Sequence, residues 1–380
     1  MKPLEAGTDS HYMQMALELA ARARGRTSPN PLVGAVIVKE GQVIGKGFHA
    51  KAGGAHAEVV ALMEAGEQAR DATLYVTLEP CCHYGRTGPC TEAVIKAGIK
   101  RVVAAMTDPN PLVAGKGLEV LKKAGVEVKA GVLEQEAMHL NEAFIKYITT
   151  KRPFVILKSA TSLDGKIATA GGESQWITGK AAREQGHWLR DRVDAILVGI
   201  NTILADDPSL TTRLPEGRGK DPVRIVVDSL ARTPTAAKVL LQESAAHTMI
   251  ATTEAAPVER RASLMAAGAE VLVVPGPGPR VDLVKLMELL GEKQITQILI
   301  EGGGKLNGSA LAAGIVDKVV WFIAPKIIGG DSAPGAIRGD GVQALKDATQ
   351  LYDVSVQCLE GDFAFTGYTS KRGERISSLE

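Results

Sequence analysis

The sequence lacks the features by which many nucleic-acid-binding proteins are recognised. Aromatic residues make up only 4% of its 380 residues, and 44 basic side chains face 43 acidic ones, so the net charge is +1. Cut at residue 150, the two parts hold 17 basic against 16 acidic side chains and 27 against 27. Non-specific binding of nucleic acid needs excess positive charge, and binding of single strands needs aromatic stacking platforms. We therefore expect no nucleic-acid partner, although a small basic pocket is compatible with this composition.

Cysteine is scarce, and long hydrophobic runs are missing. Three of the four cysteines, Cys81, Cys82 and Cys90, lie close together. That grouping disfavours a secreted disulfide framework and favours metal chemistry in a reducing compartment. No stretch approaches the ~18 apolar residues that a membrane helix needs, and no run of signal-peptide type precedes Glu18. We expect a soluble, cytoplasmic protein with no membrane partner.

The pattern of apolar residues predicts two α/β domains. Hydrophobic residues make up 45% of the chain, an ordinary globular value, and the length predicts about two domains of ~150 residues. Strand and helix patterns alternate nearly throughout, which predicts mostly parallel sheets covered on both faces. The first helix is expected over 9–24, with Asp9 or Ser10 as its N-cap. A polar stretch at 149–153 precedes a new strand, so we place the domains at 1–150 and 151–380.

The first half contains a candidate zinc site. His56 opens a predicted helix, Cys81 follows a predicted strand, and Cys90 opens the next helix. One imidazole and two thiolates leave the fourth position of a catalytic zinc to water, whose pKa the metal lowers. Glu58, two residues after His56, can carry protons beside the metal without binding it. His-x-Glu followed by Pro-Cys and a second Cys is the signature of zinc nucleobase deaminases.

Two neighbouring side chains leave the ligand set open. Cys82 could bind the metal in place of Cys81, and His83 could also coordinate it. Pro80 directly before Cys81 matches the deaminase signature, so we assign Cys81 and expect His83 to face substrate or solvent. Eight residues separate Cys81 from Cys90, where nucleobase deaminases usually have two.

Several polar residues are candidate ligand contacts. Asn30 lies in a loop that leads into a strand, and His49 precedes a glycine pair, but both are also common turn residues. Arg190 and Arg213 could each hold a phosphate through two N–H donors, with an ordinary surface role as the alternative. No G-x-G-x-x-G sequence occurs. A glycine-rich segment at 301–309 lies between a predicted strand and helix, where backbone N–H groups can bind phosphate; a tight turn is the alternative.

These motifs together resemble the bifunctional deaminase–reductases of riboflavin biosynthesis. The deaminase half is similar in SPNPLVGAVIV at 28–38, HAE at 56–58 and EPCCHYGRTGPC at 79–90, including the long spacing between cysteines. The reductase half is similar in KSATSLDGKI at 158–167, ESQWITG at 173–179, GINTILADDP at 199–208 and EGGG at 301–304. The resemblance extends over roughly residues 10–370.

The resemblance implies both a fold and a reaction sequence. It implies a cytidine-deaminase-like α/β/α domain at 1–150 and a dihydrofolate-reductase-like α/β domain at 151–380. The first would deaminate, with Zn²⁺, a diaminopyrimidinone that carries a phosphoribosylamino group. The second would reduce the ribosyl group to a ribityl chain with NADPH. The implied partner is therefore a small phosphorylated pyrimidine, and we expect a homo-oligomer, either a dimer or a tetramer.

The resemblance also implies roles for individual residues. In the deaminase half, the zinc ligands are matched by His56, Cys81 and Cys90, the proton carrier by Glu58, and substrate contacts by Asn30, His49 and Arg86. In the reductase half, substrate contacts are matched by Lys158, Ser174, Arg190, Leu210, Arg213 and Glu301. Cofactor contacts are matched by Ala160, Trp176, Thr202, Asp206, Ser229, Gly303, Gly304, Lys305, Leu306, Asn307, Gly308 and Ser309.

Two other functions fit parts of the sequence. A deaminase that acts on nucleic acid, with the second half as an accessory domain, fits the zinc signature but not the balanced charge or the cysteine spacing. A structural zinc module would normally have four protein ligands, and only three are clear unless Cys82 or His83 joins them. We therefore predict the bifunctional enzyme.

Overall fold

The structure is a computed structural model that describes residues 5–84, 88–110, 113–215, 217, 219–276 and 278–371. The chain divides between Thr150 and Lys151 into two compact units, which we call the N-terminal unit and the C-terminal unit. Each unit is built on its own sheet. In the described part of the chain, no helix is long and apolar enough to cross a membrane.

The N-terminal unit has a five-stranded mixed sheet. Its strands are β1 (Gly34–Lys39), β2 (Gln42–Phe48), β3 (Thr73–Val76), β4 (Arg101–Ala104) and β5 (Glu127–Ala130). Its helices are α1 (Asp9–Ala21), α2 (Ala57–Ala65), α3 (Cys90–Lys96), α4 (Lys116–Lys123), α5 (Glu134–Leu140) and α6 (Glu142–Thr150). The strand order is β2-β1-β3-β4-β5. β1 pairs antiparallel with β2 and β3, whereas β3, β4 and β5 are parallel.

The expectation of a mostly parallel sheet was therefore wrong for this unit, where half of the pairings are antiparallel. The cause is a tight hairpin between β1 and β2. Its two turn residues, Glu40 and Gly41, have φ values of 50° and 78°. Two consecutive positive φ angles give the turn whose twist matches that of paired antiparallel strands.

Both faces of the N-terminal sheet are covered by helices. Alternate residues of β1 enter different cores: Ala35 and Ile37 pack with α2, α3 and α4, whereas Val36 and Val38 pack with α1 and α5. This division follows from the alternation of side chains along a strand. The arrangement confirms the predicted α/β/α sandwich.

The N-cap expected at Asp9 or Ser10 was wrong by one or two residues. Thr8 caps α1, because its hydroxyl accepts the backbone N–H of His11 at 3.2 Å. The Asp9 carboxylate instead accepts hydrogen bonds from Arg101 and Lys129, both at 2.8 Å. The Asp9 side chain, which the local pattern predicted as a cap, thus forms ion pairs with residues that are distant in the sequence.

The C-terminal unit has a nine-stranded sheet. Its strands are β6 (Phe154–Ser162), β7 (Ala195–Gly199), β8 (Val223–Val227), β9 (Thr248–Thr252), β10 (Glu270–Val273), β11 (Gln297–Ile300), β12 (Lys318–Ala324), β13 (Tyr352–Leu359) and β14 (Asp362–Tyr368). Its helices are α7 (Lys180–Arg192), α8 (Ile200–Asp206), α9 (Lys238–Leu241), α10 (Val258–Ala266), α11 (Leu283–Glu292) and α12 (Gly304–Ala312).

Seven strands of this sheet run parallel, and a hairpin closes one edge. The order is β10-β9-β8-β7-β11-β6-β12-β14-β13, with antiparallel pairing only at β12–β14 and β14–β13 among the described strands. Along β7, Leu197 packs on the face covered by α11 and α12, whereas Ile196 and Val198 pack on the face covered by α8 and α10. The predicted α/β class is therefore confirmed for this unit too.

Candidate metal centre and cationic cleft

Three side chains of the N-terminal unit converge on one point. His56 is the N-cap of α2, Cys90 is the first residue of α3, and Cys81 lies in the segment after β3. Their ligand atoms all lie within 4.8 Å of one another. The Nδ1 atom of His56 is 3.1 Å from Cys90 Sγ and 3.6 Å from Cys81 Sγ.

This cluster has the dimensions of a zinc site. Tetrahedral zinc with ordinary Zn–S and Zn–N bonds holds its ligand atoms about 3.5–3.8 Å apart. The hydrogen bond from Cys90 lowers the pKa of the Cys81 thiol to about 4, and the same contact raises the pKa of Cys90. The pair thus loses one proton readily, and a cation would favour loss of the second. The donor set fits zinc and leaves a fourth ligand position to water.

The neighbouring thiol and imidazole stand apart from this cluster. Cys82 is half-buried and His83 is exposed. Among the described residues, the group close enough to hold a metal comprises His56, Cys81 and Cys90 without either of them. Arg86, a predicted substrate contact, lies outside the described residues.

Glu58 lies in the first turn of α2, beside the metal cluster. It is only 3% exposed. Burial raises the pKa of its carboxyl group, and the nearby Cys81 raises it further. A carboxyl group with a raised pKa holds a proton more readily than an ordinary glutamate does, which favours a role in proton transfer.

A hydrogen-bonded chain connects Asn30 to the start of this site. The Nδ1 atom of His49 lies 3.0 Å from the carbonyl oxygen of Ala55, which can only accept, so Nδ1 carries the proton. In the neutral ring Nε2 is then an acceptor, and the Asn30 Nδ2 donor lies 3.1 Å from it. The amide is thereby oriented with its Nδ2 group towards His49.

A second amide holds the loop that carries Asn30. Asn141 ends α5 and is 2% exposed. Its Oδ1 accepts the backbone N–H of Leu32 at 2.8 Å, and its Nδ2 donates to the carbonyl of Leu32 at 3.0 Å. This buried polar residue separates α5 from α6, and its side chain holds the loop that carries Asn30.

Glu79 anchors the segment that carries Cys81. Its buried carboxylate accepts four backbone N–H groups at 2.8–3.2 Å, those of Asp108, Gly115, Gly117 and Leu118. A Cβ on Gly117 would lie 2.1 Å from the carbonyl oxygen of Pro80, so only glycine allows this approach. The role of Glu79 has no signal in the sequence, because its carboxylate acquires it only when the four backbone partners are brought together.

The C-terminal unit contains a cleft of about 400 Å³ with a positive charge excess. It is lined by Lys158, Trp176, Lys180, Arg183, Glu184, Gly186, His187, Arg190, Arg213 and Glu301. Five of these side chains are cationic and two are carboxylates. Such a cavity favours an anionic ligand.

A buried ion-pair network forms the base of the cleft. Arg190 donates two hydrogen bonds to Glu301, at 2.7 and 2.9 Å, and Lys158 lies 3.4 Å from the same carboxylate. Burial alone would raise the pKa of Glu301, but the charges of Arg190 and Lys158 outweigh it and hold that pKa well below its usual range. Glu301 thus accepts two of the N–H groups that Arg190 was expected to offer to a phosphate.

One face of α7 forms a wall of the cleft. Arg183, His187 and Arg190 recur at the spacing that places residues on one side of a helix. The Arg183 guanidinium lies over the Trp176 ring, 4.6 Å from its centroid. Of these three residues only Arg190 was predicted to contact the substrate, although the spacing of the polar residues in this helix could have revealed the other two.

Most predicted cofactor contacts lie along one edge of the C-terminal sheet. Ala160 is in β6, Thr202 follows β7, Ser229 follows β8, and Gly303 follows β11. These four strands are adjacent and parallel, so their carboxyl ends lie side by side. Ligands of open α/β sheets bind at such an edge.

The glycine-rich segment has two different surroundings. At Gly303 the nearest atom to an added Cβ would be the Thr202 hydroxyl, at 3.8 Å, so this residue stays open towards another predicted contact. At Gly304 and Gly308 a Cβ would lie 2.4 and 2.0 Å from carbonyl oxygens of the segment 335–338. These two glycines are thus required by packing of α12.

A buried amide and a half-buried hydroxyl group complete this edge. Asn307 is fully buried; its Nδ2 donates to the carbonyl of Ala336 at 3.0 Å, and its Oδ1 has no partner among the described residues. The Ser229 hydroxyl accepts the backbone N–H of Val281 at 3.1 Å. The N-terminus of α12, capped by Gly303 without a side chain, leaves N–H groups for an anion.

The remaining predicted contacts lie on α8, on α12 or in loops. Asp206 ends α8, and burial raises the pKa of its carboxyl group. Leu210 is buried with a φ of 53°. Ser174 is half-buried in the segment before α7 and does not line the cleft. In α12, Leu306 is half-buried, and Lys305 and Ser309 are exposed.

Comparison with known proteins decides the family. Residues 153–365 match the family model of the RibD C-terminal domain, and residues 6–106 match that of the cytidine and deoxycytidylate deaminase zinc-binding region. The riboflavin biosynthesis protein RibD of Actinobacillus pleuropneumoniae is 47% identical over 355 residues, which cover 93% of this chain and 94% of that protein. This chain belongs to the RibD family.

Solved structures of RibD proteins agree with this fold over both units. RibD of Acinetobacter baumannii, 41% identical, covers 97% of this chain and is itself covered completely, with a TM-score of 0.86. A deaminase/reductase from Thermotoga maritima, 37% identical, covers 95% of this chain, is covered to 98%, and has a TM-score of 0.83. The resemblance to bifunctional deaminase–reductases is confirmed, and an accessory nucleic-acid domain is not favoured because the second half matches the RibD C-terminal domain.

Proposed function

We propose that this RibD-family chain catalyses two consecutive steps of riboflavin biosynthesis. The N-terminal unit, residues 1–150, deaminates a diaminohydroxyphosphoribosylaminopyrimidine with zinc. The C-terminal unit, residues 151–380, reduces the resulting 5-amino-6-(5-phosphoribosylamino)uracil with NADPH. The observation that carries the proposal is the cluster of His56, Cys81 and Cys90 beside buried Glu58, in a chain that matches RibD proteins over 93% of its length.

In the deaminase unit, Glu58 is the residue that moves protons. Zinc held by His56, Cys81 and Cys90 supplies Lewis acidity for hydrolysis when it is bound. Glu58 takes a proton from the attacking water and delivers it to a nitrogen of the pyrimidine ring. It then takes a second proton, from the hydroxyl group that has added to the ring carbon, and passes it to the departing amine, which leaves as ammonia. Its buried position beside the cluster, which raises the pKa of its carboxyl group, supports a role in proton transfer.

Asn30 and His49 are the proposed contacts to the pyrimidine. The contact with His49 orients the Asn30 amide, so its Oδ1 is available to accept a hydrogen bond from the ring. Burial lowers the pKa of His49, which favours the neutral ring that its two hydrogen bonds require. Arg86 stays a proposed substrate contact on the strength of the motif alone.

In the reductase unit, the cationic cleft is the proposed site of the phosphorylated ribosyl group. Arg190 holds Glu301, and Lys158 completes the network, so these three side chains form a rigid polar base for the sugar. Arg213 is exposed, donates to the Thr211 hydroxyl at 2.9 Å, and has no carboxylate partner among the described residues. We therefore assign the phosphate to Arg213 rather than to Arg190, with Ser174 and Leu210 as further contacts.

NADPH would lie along the carboxyl edge of the C-terminal sheet and supply the hydride. Thr202 and Gly303, which face each other across that edge, and the open N-terminus of α12 are suited to its phosphates. Ala160 and Trp176 are assigned to the nicotinamide. The other proposed cofactor contacts are Asp206, Ser229, Gly304, Lys305, Leu306, Asn307, Gly308 and Ser309.

The setting of the enzyme belongs to the same proposal. Three clustered thiol and imidazole ligands need a reducing compartment, which supports a cytoplasmic location. The near-zero net charge supports the absence of a nucleic-acid partner. Exposed Val354, Val356 and Phe363 on the β13–β14 hairpin support a homo-oligomer, a dimer or a tetramer, which sedimentation would measure.

The test is turnover of the diaminopyrimidine substrate with and without NADPH. Ammonia should be released in both cases, and NADPH absorbance should fall only after deamination. In Glu58→Gln, deamination should drop at least ~10²-fold, while zinc content and reduction of a substrate that is already deaminated are retained. Glu67→Gln, an exposed carboxylate beyond the same helix, is the matched control. Ammonia release at the parent rate by Glu58→Gln would contradict the assigned role.

A further inference from the structure

His187 lies in the middle of the α7 wall of the cleft, between Arg183 and Arg190. Its Nδ1 atom accepts the backbone N–H of Arg213 at 3.2 Å. An imidazole nitrogen that accepts a hydrogen bond carries no proton, so the ring is neutral and its proton is on Nε2. Nε2–H has no partner among the described residues, although the half-buried ring lines the cavity.

The surroundings of His187 keep it in this neutral form. Burial lowers its pKa to about 4, and the positive charges of Arg190, Arg213 and Lys158 contribute, against the opposing charge of Glu301. These groups come from α7, from the loop before β8, from β6 and from the end of β11. A protonated imidazole would be repelled by three cations, so the ring keeps one fixed donor over the physiological range.

We propose that His187 is a specificity-determining residue of the reductase cleft, whose Nε2–H donates a hydrogen bond to the phosphate of the substrate. The inference rests on the proposed reductase function and adds a ligand contact to it. The contact with Arg213 gives His187 a second effect, because it ties the loop that carries the free arginine to the wall of the cleft. The imidazole ring thus positions the cationic Arg213 for the phosphate and supplies a neutral hydrogen-bond donor of its own.

The charges of the cleft favour a phosphate as the acceptor. Lys180 lies 3.7 Å from Glu184, and Glu301 is shared by Arg190 and Lys158. Arg183 and Arg213 have no carboxylate partner among the described residues. An anion that fills the cleft therefore meets two uncompensated guanidinium groups and a neutral donor, and hydrogen bonds to a charged acceptor are the strong ones.

Two substitutions separate the two edges of the ring. His187→Asn keeps an acceptor near the position of Nδ1 and removes the donor at Nε2. His187→Gln places an amide N–H near the position of Nε2 and removes the acceptor for Arg213. Gln185→Asn, at an exposed position of the same helix outside the cleft, is the control.

Steady-state reduction of 5-amino-6-(5-phosphoribosylamino)uracil tests the proposal. His187→Asn should raise KM roughly tenfold to a hundredfold, the loss of one hydrogen bond to a charged group, with little change in kcat. With the dephosphorylated substrate, His187→Asn should match the parent. His187→Gln should give a KM closer to the parent than His187→Asn does, and Gln185→Asn should change nothing.

The possible outcomes distinguish this inference from the function on which it rests. If the parent enzyme does not reduce the uracil at all, the proposed function fails. If the parent reduces the uracil and His187→Asn keeps the parent KM, the inference is overturned. It is also overturned if His187→Asn raises KM equally for the phosphorylated and the dephosphorylated substrate. A larger loss in His187→Gln than in His187→Asn also overturns it, because holding the Arg213 loop would then be the whole role.

A spectroscopic measurement gives a readout that does not depend on turnover. Nitrogen-15 spectra of the histidine side chains, with the His187 signal assigned by its loss in His187→Asn, should show protonated Nε2 and unprotonated Nδ1. Inorganic phosphate should shift the Nε2 signal of His187. Titration of this ring near its ordinary pKa of ~6.5, or no response to phosphate, would contradict the proposal.

Discussion

Two buried glutamates, one in each unit, have opposite pKa shifts. Burial raises the pKa of Glu58 and the nearby Cys81 adds to this rise, whereas the opposing effect of His56 is too small to reverse it. Burial acts in the same direction on Glu301, but Arg190 and Lys158 reverse it and keep the carboxylate ionised. The first environment suits a group that exchanges protons, and the second suits a permanent charge that holds other groups in place.

The two sites also differ in how far apart their residues lie in the sequence. The metal cluster and Glu58 fall within residues 56–90, each near a helix start or a strand end. The cleft draws on residues from 158 to 301, on β6, α7, two loops and the end of β11. A short motif can therefore reveal the first chemistry, whereas the second depends on which strands become neighbours.

The largest expected effect tests the ligand set. Cys81→Ser should lose bound zinc and deaminase activity, because a hydroxyl does not replace a thiolate ligand. Reduction of the deaminated substrate should persist. Cys82→Ser is the matched control and should keep about one zinc per chain by elemental analysis. Loss of zinc from Cys82→Ser instead would show that the other cysteine of the pair is the ligand.

The next effect tests the permanent charge of the C-terminal unit. Glu301→Gln leaves Arg190 and Lys158 uncompensated, and breaking a buried ion pair typically costs about 3–5 kcal/mol of unfolding free energy. All three tryptophans lie in this unit, Trp176, Trp188 and Trp321. Denaturation followed by tryptophan fluorescence therefore reports on it. The exposed Glu292→Gln should leave the transition in place.

Acid should remove the same stabilisation. Because the pKa of Glu301 is lowered in the folded state, its contribution is complete above the ordinary glutamate pKa of ~4.3 and is lost as pH falls below it. The parent should therefore lose more stability below that pH than Glu301→Gln does. Equal acid sensitivity in both proteins would mean that Glu301 is not held ionised by its neighbours.

A smaller effect tests the anchor of the metal-site segment. Glu79→Gln places an amide group against some of the four backbone donors that the carboxylate accepts, at a cost of about 1–3 kcal/mol. Zinc should be released to a chelator at a lower denaturant concentration than in the parent. The transition followed by tryptophan fluorescence should be unchanged. Glu119→Gln, exposed on α4, is the control. Unaltered zinc release would remove Glu79 from the support of the site.

The smallest effect is expected from removing one helix cap in each unit. Thr8→Ala removes the cap of α1, and Asp282→Ala removes that of α11, where the carboxylate accepts two backbone N–H groups at 2.9 and 3.0 Å. Each should cost about 1 kcal/mol. Asp282→Ala should move the fluorescence transition, and Thr8→Ala should move zinc release. If either substitution moves both signals equally, the two units unfold as one.

The sequence alone determined the family, the α/β class and the residues proposed to bind zinc. Each of these rests on short-range information: alternating apolar residues, a His-x-Glu pair, a proline before a cysteine. The ligand set stays a prediction for the Cys81 test, although the structure brings its three members together. The errors at the N-cap and in the N-terminal sheet arose where a partner distant in sequence, or a two-residue turn, outweighed the local pattern.

Only the tertiary structure decided what each buried polar group does. Glu79 and Asn141 bind backbone groups about 29 to 109 residues away in the chain, and Arg190 meets Glu301 across 111 residues. His187 acquires its neutral form from a backbone N–H that another loop brings to it. The charge and tautomer of a buried group depend on its hydrogen-bond partners and on the loss of water, and both exist only once the strands have found their neighbours.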